Sequence, residues 1–161
     1  MTTTDISTLS STSRVWMYQN EAAISAETIT AIKEELKGFA IQWQSHSQQM
    51  TALGDVIFDR FLILIADESR VGAGGCSIDS SVHFFKNLEQ KYGLNLMDRM
   101  LFSYRDGENI NTVPRDEFSK LYAEGKINDE TIVFDTLVKT KADLDQHFEK
   151  ALGESWHKRM V

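Results

Sequence analysis

The chain has 161 residues and a mass of 18.3 kDa, with 42% apolar, 10% aromatic and 25% charged residues. Those proportions fit one globular domain and exclude collagen-like, disulfide-dense and wholly disordered chains. Seventeen Lys and Arg against 24 Asp and Glu leave a net charge of −7, which opposes nonspecific nucleic-acid binding because that depends on neutralising phosphates.

Met1 to Ser13 is rich in Thr and Ser and lacks the basic and apolar regions of a signal peptide, so a mobile arm is expected there. Arg14 to Gln19 (RVWMYQ) predicts a strand, with Val15, Met17 and Gln19 on one face and Trp16 and Tyr18 on the other. Apolar residues on both faces point to a buried strand. Ser25 is a good N-cap. Ile29, Ile32, Leu36, Phe39, Ala40 and Trp43 recur at helical spacing, which predicts an amphipathic helix over 26–43. Gln44 to Gln49 reads as a polar link.

Met50 to Phe58 and Phe61 to Asp67 predict two strands with a break near Asp59-Arg60. The second, FLILIAD, is apolar on both faces and reads as a central strand. Gly72, Gly74 and Gly75 make a turn. Ser77 then caps a second helix carrying Ile78, Val82, Phe85, Leu88 and Tyr92 on one stripe, with Gly93 stopping it. Arg99 to Tyr104 is a further strand. The order β-α-β-β-α-β is the ferredoxin-like pattern, an antiparallel sheet with two helices on one face.

A β-α-β-α extension follows. Glu108 to Val113 reads as an edge strand, and Pro114 opens a short helix to about Ala123, with Gly125 after it. Thr131 to Val138 is a strand. Thr140 to Asp143 resembles a capping box opening a last helix with Leu144, Phe148 and Leu152 inward. The expected fold is therefore one α+β domain over 14–161.

Cys76 is the only cysteine, which excludes an internal disulfide and fits a reducing cytoplasm. Four scattered histidines lack metal-ligand spacing, and no motif implies a cofactor. Phe61 to Ala66 is the longest apolar run, against the roughly 20 residues that a membrane helix needs. The strand ending in Asp67-Glu68 resembles a Walker B strand, and Gly72 to Ser77 a phosphate loop. No GxxxxGK[ST] exists, however, so no lysine is placed to reach a nucleotide's phosphates.

The Gly72–Ser81 turn is the sharpest local feature. Its glycines permit close backbone approach, and it runs into a helix start whose unpaired N–H groups attract anions. The expected ligand-binding residues are Gly74, Gly75, Cys76, Ser77, Asp79 and Ser80. Cys76 is the candidate nucleophile, its thiol acidified by the helix dipole. A structural reading stands beside this one, with a packed Cys76 and Ser77 as cap. A third reading gathers Asp55, Asp59, Asp67, Glu68 and Asp79 as a Mg²⁺ cluster for hydrolysis.

Arg14 to Gln19, Gly75 to Phe84 (GCSIDSSVHF) and Ser155 to Arg159 (SWHKR) resemble segments of a group of small uncharacterised bacterial proteins, some labelled ABC transporter ATPases. The resemblance implies no established activity, and the residues here do not support that label. Residues 104–134 resemble the middle of a GYF-type-2 domain through Gly107, Phe118, Leu121, Gly125, Ile127 and Val133. Asn111 to Pro114 replaces that family's Gly-Pro-Tyr-like element, and the Gly-Met…Trp segment is absent. The resemblance thus implies local fold without the peptide groove.

The tail Trp156 to Arg159 reads as a solvated basic end, and Trp16, Trp43 and Trp156 read as core residues. The function expected from sequence is a non-catalytic cytoplasmic binding or interaction protein with an anion or small-ligand site at Gly72–Ser81. Its partner is then an unknown protein or a small anionic ligand, with neither nucleic acid nor membrane. The alternatives are a small thiol enzyme using Cys76 and a Mg²⁺-dependent hydrolase using Asp67, Glu68 and Asp79.

Overall fold

The computed structural model describes residues 8–161. Strand β1 (Arg14–Gln19), helix α1 (Ala26–Gln42), a hairpin of β2 (Gln44–Ser45) and β3 (Gln48–Gln49), and strands β4 (Thr51–Ile57) and β5 (Phe61–Asp67) come first. Helix α2 (Gly75–Tyr92), strands β6 (Leu101–Asp106) and β7 (Asn109–Pro114), helix α3 (Arg115–Ala123) and strand β8 (Ile132–Phe134) follow. Helix α4 (Lys141–His147), strand β9 (Glu149–Ala151) and 3-10 turns at Leu152–Glu154 and Trp156–Met160 come last. The fold is α+β. None of its helices is long and apolar enough to cross a membrane among the described residues.

The alternation of β5 organises the two layers around it. Leu62, Leu64 and Ala66 face a core built with Ile29, Ile32, Leu36 and Ala40 of α1 and Phe85 and Leu88 of α2. Phe61, Ile63 and Ile65 face the other way, against Val15, Met17, Phe134, Leu144 and Phe148. All six are fully buried. Each large apolar side chain so placed contributes about 1.5–3 kcal/mol.

Antiparallel pairing gives the sheet order β1-β5-β4. Ser25 caps α1, its Oγ accepting the Thr28 N–H at 3.3 Å. Helix α1 lies close enough over β4 that a Cβ on Gly54 would sit 2.9 Å from Leu36 Cβ. The polar link expected over 44–49 is the β2–β3 hairpin, whose tip holds His46 and Ser47 at φ 52° and 64°.

The single sheet expected from the element order is not formed: β6 is hydrogen-bonded in a second sheet of order β7-β6-β8-β9. Side chains join β6 to β1. Gln19 Nε2 donates to Leu101 O at 2.6 Å, and Ser103 Oγ donates to Gln19 Oε1 at 2.7 Å. Ser103 and Thr112 hydroxyls lie 2.7 Å apart, and the buried Arg60 guanidinium donates to Thr112 Oγ1 at 2.8 Å.

The C-terminal third departs from expectation at its end. Helix α4 is capped by Thr140, whose Oγ1 accepts the Asp143 N–H at 3.2 Å, but it stops at His147. Residues expected to continue it form β9, paired to β8 from Ile132↔Ala151 to Phe134↔Glu149. Leu144 and Phe148 pack under β5, whereas Leu152 belongs to a separate core with Phe102, Phe118, Ile127 and Val133. One helical stripe cannot reach both cores, so the chain must leave the helix between them. Strand β8 is shorter than expected because the chain turns just after Asp135, whose Oδ1 accepts the Leu137 N–H at 2.9 Å. The elements named for residues 104–134 are present, with Gly107 and Gly125 at φ 64° and 74° in the left-handed region.

Two expectations for the chain ends are corrected. Residues 1–7 of the expected mobile arm lie outside the described residues. Leu9, however, is buried under β5, and Ser11 and Ser13 carbonyls accept the Ala142 and Lys141 amides at 2.9 and 2.8 Å. The tail is packed in part: Lys158 and Arg159 are exposed, but the Trp156 indole donates to Asp135 Oδ1 at 2.8 Å and stacks on His157 at 3.8 Å. His157 is 1% exposed, between Phe102 and Phe118, with Nδ1 2.6 Å from Ser155 Oγ. Burial lowers the His157 pKa to about 4. Asp135 is also buried, which pushes its carboxyl up, but hydrogen bonds from Lys150, Trp156 and the Leu137 amide outweigh this and hold it below the usual range.

Two measurements test this packing. Gly54→Ala is expected to destabilise the protein by about 1–3 kcal/mol in chemical denaturation, because Leu36 and the Ile63 carbonyl, 3.3 Å from the new Cβ, leave it no room. For His157 the unfolded chain binds a proton near pH 6.5 and the folded one only near 4. Stability is therefore full above the unfolded value and falls by about 3 kcal/mol as pH drops through that window. His157→Phe is expected to flatten that slope, and an unchanged slope would count against a buried neutral imidazole.

Candidate functional site

The Gly72–Ser81 turn is bordered by a cleft of about 320 Å³ whose lining comprises Gln44, Ser45, His46, Gly74, Gly75, Cys76 and Ser77. Helix α2 starts one turn earlier than expected. Its N-cap is Gly74 rather than Ser77, and no side chain hydrogen-bonds to the cap. Ser77 instead lies inside the first turn, buried, with its Oγ donating back to Gly74 O at 2.8 Å. The leading N–H groups of the helix have no intrahelical acceptor and point out of its end, towards negative charge.

The opposite wall is the β2–β3 hairpin, where a polar link is expected from sequence. Three hydrogen bonds set its position. The Trp43 indole, at the end of α1, donates to Ser77 O at 2.8 Å inside the first turn of α2. The buried Ser45 Oγ donates to Gly72 O at 2.6 Å and accepts the Gly74 N–H at 3.1 Å. His46, held in left-handed backbone at the hairpin tip, places its ring on Gly74, where a Cβ would lie 3.3 Å from Nε2.

The glycines are therefore used differently from expectation. None of Gly72, Gly74 and Gly75 has positive φ. Gly74 lies close under the His46 ring and Gly72 close to Glu68, whose Oε2 would lie 3.3 Å from a Cβ there and accepts the Ala73 N–H at 2.8 Å.

Of the expected ligand-binding residues, Gly74, Gly75, Cys76 and Ser77 line the cleft, while Asp79 and Ser80 are exposed outside that lining. Cys76 is exposed and free, which sets aside its reading as a packed core residue. His83 is exposed on α2, and His46 is the histidine that shares the cleft with Cys76.

The acidic residues do not converge, and no group of three metal-ligating side chains occurs among the described residues. The hairpin register explains this. Thr51 pairs with Asp67 at one end and Ile57 with Phe61 at the other, so Asp59 and Asp67 are separated by the strand length, roughly 20 Å. Asp55 instead pairs with Lys33 at 3.5 Å. Hydrogen bonds from Ser69 hold the exposed Asp67 carboxyl below its usual range. Trp43 is a buried core residue as expected, whereas Trp16 and Trp156 are partly buried against the cores, with Trp16 and Trp43 edge to face at 5.2 Å.

The chain matches no protein-family model, no curated protein and no solved structure.

Ser45 fixes both walls of the cleft, so Ser45→Ala is expected to cost about 1–2 kcal/mol. It is also expected to speed hydrogen exchange of the Gly74 amide relative to the core strands. Exchange at an unchanged rate would show that the loop keeps its place without that hydroxyl.

Proposed function

We propose that the protein is a cytoplasmic, non-catalytic binding protein whose cleft at the start of α2 takes a small ligand through an anionic group. The observation that carries this reading is the uncapped start of an 18-residue helix opening into a walled cleft beside the His46 imidazole. Amide donors of the first turn supply directional hydrogen bonds, and the aligned peptide dipoles favour a negative charge. A phosphate or carboxylate fits that chemistry. The exposed free thiol supports a reducing compartment. For the N-terminal part we infer a split ferredoxin-like topology, in which β6, the last strand of the β-α-β-β-α-β pattern, lies in the second sheet.

The shared cleft of His46 and Cys76 favours a second reading, a thiol enzyme in which the imidazole takes the proton of Cys76. One set of measurements separates the two. Titration with inorganic phosphate, followed by amide resonances, is expected to shift Gly75, Cys76 and Ser77. Cys76→Ala is expected to keep that affinity. Gly75→Pro suits the first helical position but removes a donor amide, and is expected to weaken it. If neither phosphate nor acetate moves those amides, the binding reading falls. Iodoacetamide labelling of Cys76 with an apparent pKa below about 7, lost in His46→Ala, would put the thiol reading in its place.

A further inference from the structure

Strand β4 is the outer strand of its sheet, and its pairing to β5 runs from Thr51↔Asp67 to Ile57↔Phe61 without a bulge. Its sequence, TALGDVI, holds no proline and no lysine, and Asp55 is its one charge. Short length, bulges, prolines and charged side chains are the usual means of blunting an edge, and of these β4 has only Asp55, which pairs with Lys33 at 3.5 Å. The Val56 N–H is bonded to its neighbour's Asp55 Oδ1 at 2.8 Å. Alternation in an antiparallel ladder therefore turns the amides of Ala52, Gly54 and Val56 to the open side.

The two ends of this edge differ in a complementary way. Beside its first half runs a groove of about 630 Å³, walled by Ala40 and Ile41 on the helical face and by Leu9 and Leu53 on the other. Ile41 is 57% exposed. Arg70 also lines the groove and forms no ion pair among the described residues. At the other end the hairpin turn presents Phe58, 44% exposed, and an exposed Asp59. Phe58 rests on Phe134 and Phe148, on the same face of the sheet as Leu9 and Leu53.

We propose that this edge binds a second copy of the chain, β4 against β4, antiparallel about a two-fold axis at Gly54. That register sets Ala52 opposite the partner's Val56 and Gly54 opposite its counterpart, so that the open amides meet carbonyls. The Val56 N–H exchanges its Asp55 bond for one to the partner's Ala52. Phe58 comes opposite the partner's Met50, at the mouth of the groove, on the face where Leu9 and Leu53 lie. Asp59 comes opposite the partner's Gln49, beside the partner's Arg70. The axis repeats each contact, so one apolar knob and one ion pair become two. An apolar end and a cationic groove thus find their complement in the same chain, and an edge strand is itself a template for strand addition.

Sedimentation equilibrium over a roughly hundredfold concentration range tests this. The wild-type chain is expected to approach twice its 18.3 kDa mass. Ala52→Pro keeps the β5 pairing, because that amide faces outwards, and is expected to leave a folded monomer with an unchanged far-UV spectrum. Arg70→Glu is expected to weaken association roughly two- to tenfold, Asp59→Lys likewise, and the double exchange to restore it. Monomer mass throughout the range would overturn the proposal. So would a folded Ala52→Pro dimer, or a double exchange that recovers nothing.

Discussion

Everything in this molecule is arranged around a strand that is buried on both sides. Strand β5 has no solvent face: its even-numbered residues meet the two long helices and its odd-numbered ones meet the C-terminal third. Because side chains alternate, neither layer can be removed without exposing three apolar side chains to water. The C-terminal third is thus no appendage. It supplies Phe134, Leu144 and Phe148 as the second cover of the first sheet, and Phe61 meets Phe148 edge to face at 4.9 Å. The need for that cover is also what draws in Leu9.

A second constraint lies where the two sheets meet. Gln19, Ser103, Thr112 and Arg60 form a chain of hydrogen bonds in which three of the four residues are buried. Burying such groups is costly unless they are paired, and here each finds a partner, though Arg60 Nε has none. Burial lowers the Arg60 pKa, against the nearby Asp59 carboxylate, which raises it. The network does what a continuous sheet would have done by backbone pairing, and it does so with directional bonds that permit one arrangement of β6 against β1.

Much of this was legible from local chemistry. The alternation of FLILIAD announced a two-sided strand, and Ser25, Thr140 and Gly93 marked helix ends that the backbone confirms. What escaped was set by distant partners. Gln44 to Gln49 has no apolar pattern, because its hairpin is held by Ser45 and Trp43 reaching to the α2 loop. The helix expected to reach Leu152 has good periodicity, but Leu152 and Phe148 serve different cores. The tail reads as basic and soluble, yet Trp156 and His157 are claimed by Asp135 and by Phe102 and Phe118. Of the site, the turn was visible in its glycines, whereas His46 carried no signal beyond being a histidine in a polar stretch.

The β2–β3 hairpin then acquires a meaning that its length conceals. Two residues per strand cannot hold a hairpin together in water. This one stands because Ser45 clamps the Gly72–Gly74 loop, Gln49 Nε2 donates to the Ile41 carbonyl at 2.8 Å, and the Met50 amide donates to Trp43 O at 2.9 Å. Its Ser45 and His46 line the cleft at α2, and its Gln48 and Gln49 line the groove beside β4. A thin element held from both sides is the wall common to both concavities.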